Sequence, residues 1–150
     1  MEEFLDLTKR PGFAAECDIE AIWAKLPAVS EPSFMIGEWT GSDFENDHPD
    51  HTQLKAMKWA DKTFESVDDV DPIMVYDEEG KRVFSEPWGH ARWREVKLWG
   101  LLSTCMVYDK HPIIDQFRYV HDDLVAGAMD IKPFSGRVYY FYLHRNEKKL

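Results

Sequence analysis

From Pro72 onward, hydrophobic positions fall in short runs of strand length separated by polar turn signals. "PIMVYD", the turn "EEGK" and "RVFSEP" predict a hairpin with Gly80 in its turn. "HARWREVKLWG", "LLSTCMVYD", "PIIDQFRYV", "LVAGAMDIK" and "RVYYFYLHR" read as further strands. With an earlier strand in "FMIGEWTGSDF" they make about eight, mostly joined by turns short enough to force antiparallel neighbours. Such strands close into a meander β-barrel and remove exposed edges. The last strand is apolar or aromatic on both faces: Tyr139, Phe141 and Leu143 on one, Val138, Tyr140 and Tyr142 on the other. Two covered faces predict an apolar lining and an outer surface packed by helices or by a second copy in a homodimer. A barrel with a filled interior satisfies the same pattern.

Two segments change period. "DIEAIWAKLP" places Ile19, Ile22, Trp23 and Leu26 on one helical face, with Asp18 as the expected cap and Pro27 as the stop. In "ENDHPDHTQLKAMKWADKTF", Leu54, Met57 and Phe64 line up roughly as a helical face, predicting a helix from about His51 to Asp61. No repeat, low-complexity tract or interior linker divides the 150 residues, so residues 1–150 are read as one domain.

The first strand poses a packing question. Met35, Gly37, Trp39 and Gly41 share one face, and glycine there implies a sharp bend or a close approach. One reading lays Trp39 across a closed barrel end, with Gly37 and Gly41 as structural partners. The other is a core tryptophan between two turn glycines.

Composition narrows the partners. A hydrophobic share of 44% supports a real core, and a net charge of −10 argues against unaided attraction to nucleic acid or an anionic membrane surface. No stretch approaches membrane-spanning length, and "MEEFLDLTKR" lacks the apolar run of a signal peptide, so a cytoplasmic protein without integral membrane association is expected. Cys17 and Cys105 form no C-x-x-C pair, and Cys105 reads as a small core residue. His48 and His51 lie among carboxylates, but Pro49 breaks the local geometry, so the loop is read as solvated surface and no metal is expected. Signatures of hydrolases, zinc proteases, P-loops and dinucleotide folds are absent from the sequence.

Several segments carry a family resemblance. "LPAVSEPSFMIGEWTGSDF" resembles the start of the GXWXG-domain family, and "KWADKTF" resembles its Trp–Lys–Phe segment. "VYDKHPIIDQFRYVHDDLVAGAMDIK" resembles the companion domain of unknown function that follows it, through Tyr108, Asp109, Pro112, Asp115, Phe117, Arg118, Gly127, Met129 and Asp130. The two segments fall at about 19–85 and about 90–145. The resemblance implies a small β-barrel holding a lipid or another hydrophobic ligand. Lipocalins and nitrobindin-like haem proteins share a G-x-W whose tryptophan packs across the barrel base, which favours Trp39 as an architectural plug. The same similarity raises a haem-binding alternative with His144 as axial ligand. A lone strand histidine is more often a polar edge residue, and no cofactor is expected.

Chemistry concentrates in "HPIIDQFRYVHDD". Asp115 and Arg118 are three apart on a strand and face opposite sides, so one of them points inward and needs a partner. Arg92 and Arg94 are candidate partners for Asp109, Asp115 or Asp130. The expected function is binding of a lipid or fatty-acid-like ligand against Phe34, Met35, Trp93, Tyr108, Phe117, Met129 and Tyr140. Arg118 or Arg94 would hold an anionic head, with Asp115 nearby. The alternative is an enzyme acting on a small hydrophobic substrate, with Asp115 as acid or base beside Tyr108.

Overall fold

A computed structural model describes residues 1–45, residue 55, residues 59–132 and residues 137–146. The elements are α1 (Glu2–Lys9), α2 (Glu16–Trp23), a 3-10 turn (Pro32–Met35), and strands β1 (Gly37–Asp43), β2 (Trp59–Phe64), β3 (Val70–Tyr76), β4 (Arg82–Phe84), β5 (Ala91–Leu98), β6 (Leu101–Tyr108), β7 (Ile113–His121), β8 (Leu124–Ile131) and β9 (Tyr139–Arg145).

Every strand pair is antiparallel, and β1 pairs with both β2 and β9. The β2–β3 pairing closes an eight-stranded ring, and β4 hangs from β3 as the outer arm of the expected hairpin. Gly80 turns that hairpin with a φ of +78°. Trp99 and Gly100 both have positive φ in the two-residue β5–β6 turn, the geometry that suits strand twist. The expected mainly β meander barrel is therefore present.

The segment expected to be helical to Asp61 ends differently. Lys55 is helical, but from Trp59 the chain is strand β2, and its register against β3 is shifted twice by bulges. Bulges break the two-residue alternation that marks a strand, which is why apolar spacing there imitates a helix. The rest of that predicted helix, with His48 and His51, lies outside the described residues. At the N-terminus, α2 begins at Glu16, so Asp18 sits in its first turn instead of capping it. Helix α1 is an addition to the expected elements; it buries Phe4 and Leu7.

Two apolar layers result. Inside the barrel, Met35, Trp39, Phe64, Trp93, Phe117, Met129 and Phe141 belong to one continuous core. Outside, α1 and α2 cover β8 and β9, burying Phe4, Ile19 and Trp23 against Leu124, Ala126 and Tyr140. Helices, as one of the two expected options, thus cover the second apolar face. Strands β6 and β7 splay apart at one end, and residues Pro27–Ser30 fill the gap. There Val29 O accepts from the Thr104 amide at 3.0 Å, and Pro27 O accepts from the Tyr119 amide at 2.9 Å.

Trp39 is fully buried, and its indole N–H donates to Met35 O in the 3-10 turn at 3.0 Å. The Arg145 guanidinium lies 4.2 Å above its ring and also donates to Phe34 O at 3.0 Å. Turn, tryptophan and arginine together close the end of the barrel nearest the β7–β8 turn, with Phe34 packed on Trp39 and Tyr119. Gly37 has a φ of +128°, which lets the chain leave the 3-10 turn and enter β1. Gly41 serves a close approach: a β-carbon there would collide with the Trp59 ring, and one at Gly127 would collide with Phe141.

Two outcomes test this packing. Trp39→Ala leaves a large void and lowers unfolding free energy by about 3–5 kcal/mol in urea titrations. Gly127→Ala costs about 1–3 kcal/mol through overpacking, and adding Phe141→Leu recovers part of the loss; a purely additive double variant would show that the ring contact is not the cause.

Candidate functional site

An ionic cluster sits inside the apolar barrel. Lys62 on β2 and Asp115 on β7 face each other, with Nζ 3.7 Å from Oδ2 and both side chains essentially fully buried. Tyr108 on β6 bridges them: its hydroxyl accepts from Lys62 Nζ at 3.5 Å and donates to Asp115 Oδ2 at 3.3 Å. Lys62 also donates to Pro72 O at 2.8 Å. The aromatic rings of Trp59 and Phe141 lie 5.6 Å and 5.2 Å from the ammonium. Both ring faces present negative charge density to it.

The local sequence explains each position. Lys62 and Phe64 are two apart on β2, so both point inward. Asp115 and Phe117 do the same on β7, and Met106 and Tyr108 on β6. Burial lowers the Lys62 pKa to about 8, against the opposing pull of Asp115. The indole N–H groups of Trp59 and Trp93 are also buried, with no acceptor among the described residues. The cluster therefore joins an amine, a carboxylate and a phenol within hydrogen-bonding or ion-pairing reach of one another.

Tyr108 also walls an open groove of about 690 Å3 at the β6–β7 hairpin end, together with Val107, His111, Ile113, Asp130 and Ile131. A second groove of about 420 Å3 lies at the opposite end of β7, between Pro27–Glu31, Phe34 and Tyr119.

The structure divides the residues expected to line a ligand site. Met35, Trp93, Tyr108, Asp115, Phe117 and Met129 lie in or against the barrel interior. Phe34 is at the closed end, beneath Arg145. Tyr140 faces outward and packs on Trp23 of α2. Arg118 also faces outward: it donates to Gln116 Oε1 at 3.1 Å and Trp23 O at 3.2 Å, and its guanidinium lies 4.7 Å from the Trp23 ring. It therefore anchors α2 to the sheet. Arg94 is half-exposed and pairs with Asp68 at 2.9 Å. Arg92 pairs with Asp109 at 3.5 Å on the surface. Of the two oppositely facing residues, Asp115 points in and Arg118 points out, so the partner of Asp115 is Lys62. Sequence reasoning missed Lys62 because its segment was read as the tail of a helix; the same-face spacing of Lys62 and Phe64 was the available signal.

Elsewhere, His144 is largely exposed, and the desolvation of its covered part, with His121 nearby, lowers its pKa. Cys17 and Cys105 are free thiols, one exposed and one buried, and burial pushes Cys105 up to about 12. Asp69, Asp71 and His90 gather at the surface, where His90 pairs with Asp71 at 2.9 Å. Among the described residues, no helix is long and apolar enough to cross a membrane.

Comparisons with known proteins agree with the division of the chain. The profile described as GXWXG protein matches residues 21–80, and the one described as a domain of unknown function, DUF4334, matches residues 89–145. A crystal structure of a protein from Thermomonospora curvata is 35% identical and superposes with a TM-score of 0.91, covering 97% of each chain. No curated protein matches the chain.

The cluster makes a stability prediction. Lys62→Met leaves Asp115 buried without its cation and costs about 3–5 kcal/mol, whereas Lys62→Met with Asp115→Leu regains most of that loss. Urea denaturation at neutral pH measures both; equal losses in the single and double variants would refute the pairing. The pH dependence has a definite sign. The folded pKa of Lys62, about 8, lies below the ordinary 10.5, so its penalty is full below pH 8. Between those values the unfolded chain binds more protons, so the stability of the parent relative to the double variant rises with pH.

Proposed function

The chain belongs to the GXWXG family with its DUF4334 companion, and from that premise we infer that it binds a hydrophobic small molecule, lipid or fatty-acid-like, at the Tyr108 end of the barrel. One observation carries the reading. The Lys62–Tyr108–Asp115 cluster lies in an otherwise apolar interior, directly behind a residue that walls an open groove. Apolar packing of similar volume would stabilise the barrel at least as well as a buried ion pair, so stability alone does not account for it. A mostly apolar groove of several hundred Å3 with a few convergent polar groups has the makeup of a small-molecule site.

In this reading the polar end of the ligand approaches Tyr108 and Lys62, and the apolar part lies against Ile113 and Ile131. Lys62 replaces Arg118 and Arg94 as head-group partner, because neither arginine faces the interior. Each methylene removed from water contributes roughly 0.8 kcal/mol before association costs are subtracted. The wedge of residues Pro27–Ser30 and the plug around Trp39 keep the other end closed.

A second reading has its own support. An enzyme acting on a small hydrophobic substrate needs a second polar group beside Asp115. Lys62 and Tyr108 are both within reach of it. Carboxylate, amine and phenol together can move a proton.

Gentle purification, denaturing extraction and mass spectrometry test binding directly. The expected result is a recovered hydrophobic molecule, or saturable binding of decanoate and decanol that quenches tryptophan fluorescence. Lys62→Met lowers decanoate affinity by roughly 2–5 kcal/mol and changes decanol affinity less. A clean extract with no binding of either probe overturns the reading. Turnover of a hydrophobic ester or ketone would favour the enzyme.

A further inference from the structure

A head group that is only to be held electrostatically is better served by arginine, whose planar fork grips two oxygens and stays charged. The barrel places a lysine there instead. Lysine offers something arginine does not: a nitrogen that can lose its proton and attack carbon. Lys62 Nζ is buried between two aromatic rings, 3.5 Å from a phenol oxygen and 3.7 Å from a carboxylate. Tyr108 links this cluster to the groove through which a ligand would arrive.

We propose that Lys62 captures hydrophobic aldehydes as an imine, with Asp115 and Tyr108 carrying the protons. The proposal rests on the ligand-binding reading and deepens it by naming the substrate class. The amine lone pair forms a bond to the carbonyl carbon, and the C=O pair moves to oxygen. One amine proton passes through Asp115 and Tyr108 to that oxygen, giving the carbinolamine. The nitrogen lone pair then forms C=N as the C–O bond breaks. The second amine proton follows the same route onto the departing hydroxyl, which leaves as water. Carboxylate and phenol end as they began.

Three features support this chemistry. Attack requires a neutral amine, and burial shifts Lys62 toward that form relative to an exposed lysine. When the imine is protonated, the Asp115 carboxylate is in place to balance its charge. The Trp59 and Phe141 rings beside the amine, 5.6 Å and 5.2 Å from it, give the hydrophobic part of an aldehyde an apolar surface to lie against.

Trapping tests the proposal on the intact protein. Decanal is added at neutral pH with sodium cyanoborohydride, which reduces an imine to a stable secondary amine, and the adduct is located by peptide mass spectrometry. The expected result is alkylation of Lys62 faster than that of exposed lysines such as Lys9 and Lys97 by on the order of tenfold or more, reflecting its larger neutral fraction. Excess decanol, which has the same chain and no carbonyl, slows the labelling. Lys62→Arg abolishes that adduct; because the mapping is done on the parent protein, a variant that fails to fold does not decide the matter. Labelling confined to exposed lysines overturns the proposal. If decanol still binds in that case, simple ligand binding survives; if neither decanol nor decanoate binds, both readings fall.

Discussion

Two aromatic rings, Trp59 and Phe141, occupy the space where β-carbons on neighbouring strands would stand, and only Gly41 and Gly127 leave that space open. An eight-stranded barrel has an interior about wide enough for side chains to fill. At these two places the rings fit because the neighbouring strand carries no β-carbon. The same two rings then flank the Lys62 ammonium at 5.6 Å and 5.2 Å. The glycines therefore do more than relieve crowding. They set ring positions, the rings exclude water from the amine, and water exclusion shifts its proton equilibrium. One steric constraint on the strand backbones thus reaches the chemistry of a charged group in the interior.

The architecture was legible because short apolar and aromatic runs of strand length are separated by turn residues. Gly80, Trp99 with Gly100, and Asp122 with Asp123 mark turns that fix neighbouring strands as antiparallel. The double apolar character of β9 was legible as well, and the structure resolves it into a barrel face and a face covered by helices. The glycine neighbours of Trp39 left the plug as one of two readings, and the resemblance to lipocalins favoured it. Arg145, stacked on its ring, was not, because that contact joins residues 106 positions apart along the chain.

The site was only half legible. Asp115 and Tyr108 sit on regular strands and share a face with Phe117 and Met106, so their direction is fixed once that face is known to be the inner one. Lys62 sits on a strand whose register against β3 shifts twice, so the segment imitated a helix and the same-face spacing of Lys62 and Phe64 went unused. Arg118 misled for a different reason. An arginine between Phe117 and Tyr119 in an apolar strand asks for a buried partner, and it has one, but on the outer face. Which face of β7 was the inside depended on helix packing at Trp23, a contact that local sequence does not encode.

Lys62 and Arg118, the two buried cations among the described residues, show how differently burial can be used. Arg118 is held by a side-chain amide oxygen, a backbone carbonyl and an aromatic ring, none of which carries a proton it readily exchanges. That environment fixes the position of α2 and offers no route for chemistry. Lys62 is instead surrounded by groups that can take or return a proton, Tyr108 and Asp115, with Pro72 O as the fixed acceptor. A barrel needing only a neutralised interior charge could have used the first arrangement twice. The second arrangement costs stability at neutral pH, because burial opposes the charged lysine. Its compensating property is that the amine's protonation can change without leaving a hydrogen-bonded network. In the proposed function that property serves a molecule that reaches the amine, and Tyr108 is the side chain shared between cluster and groove.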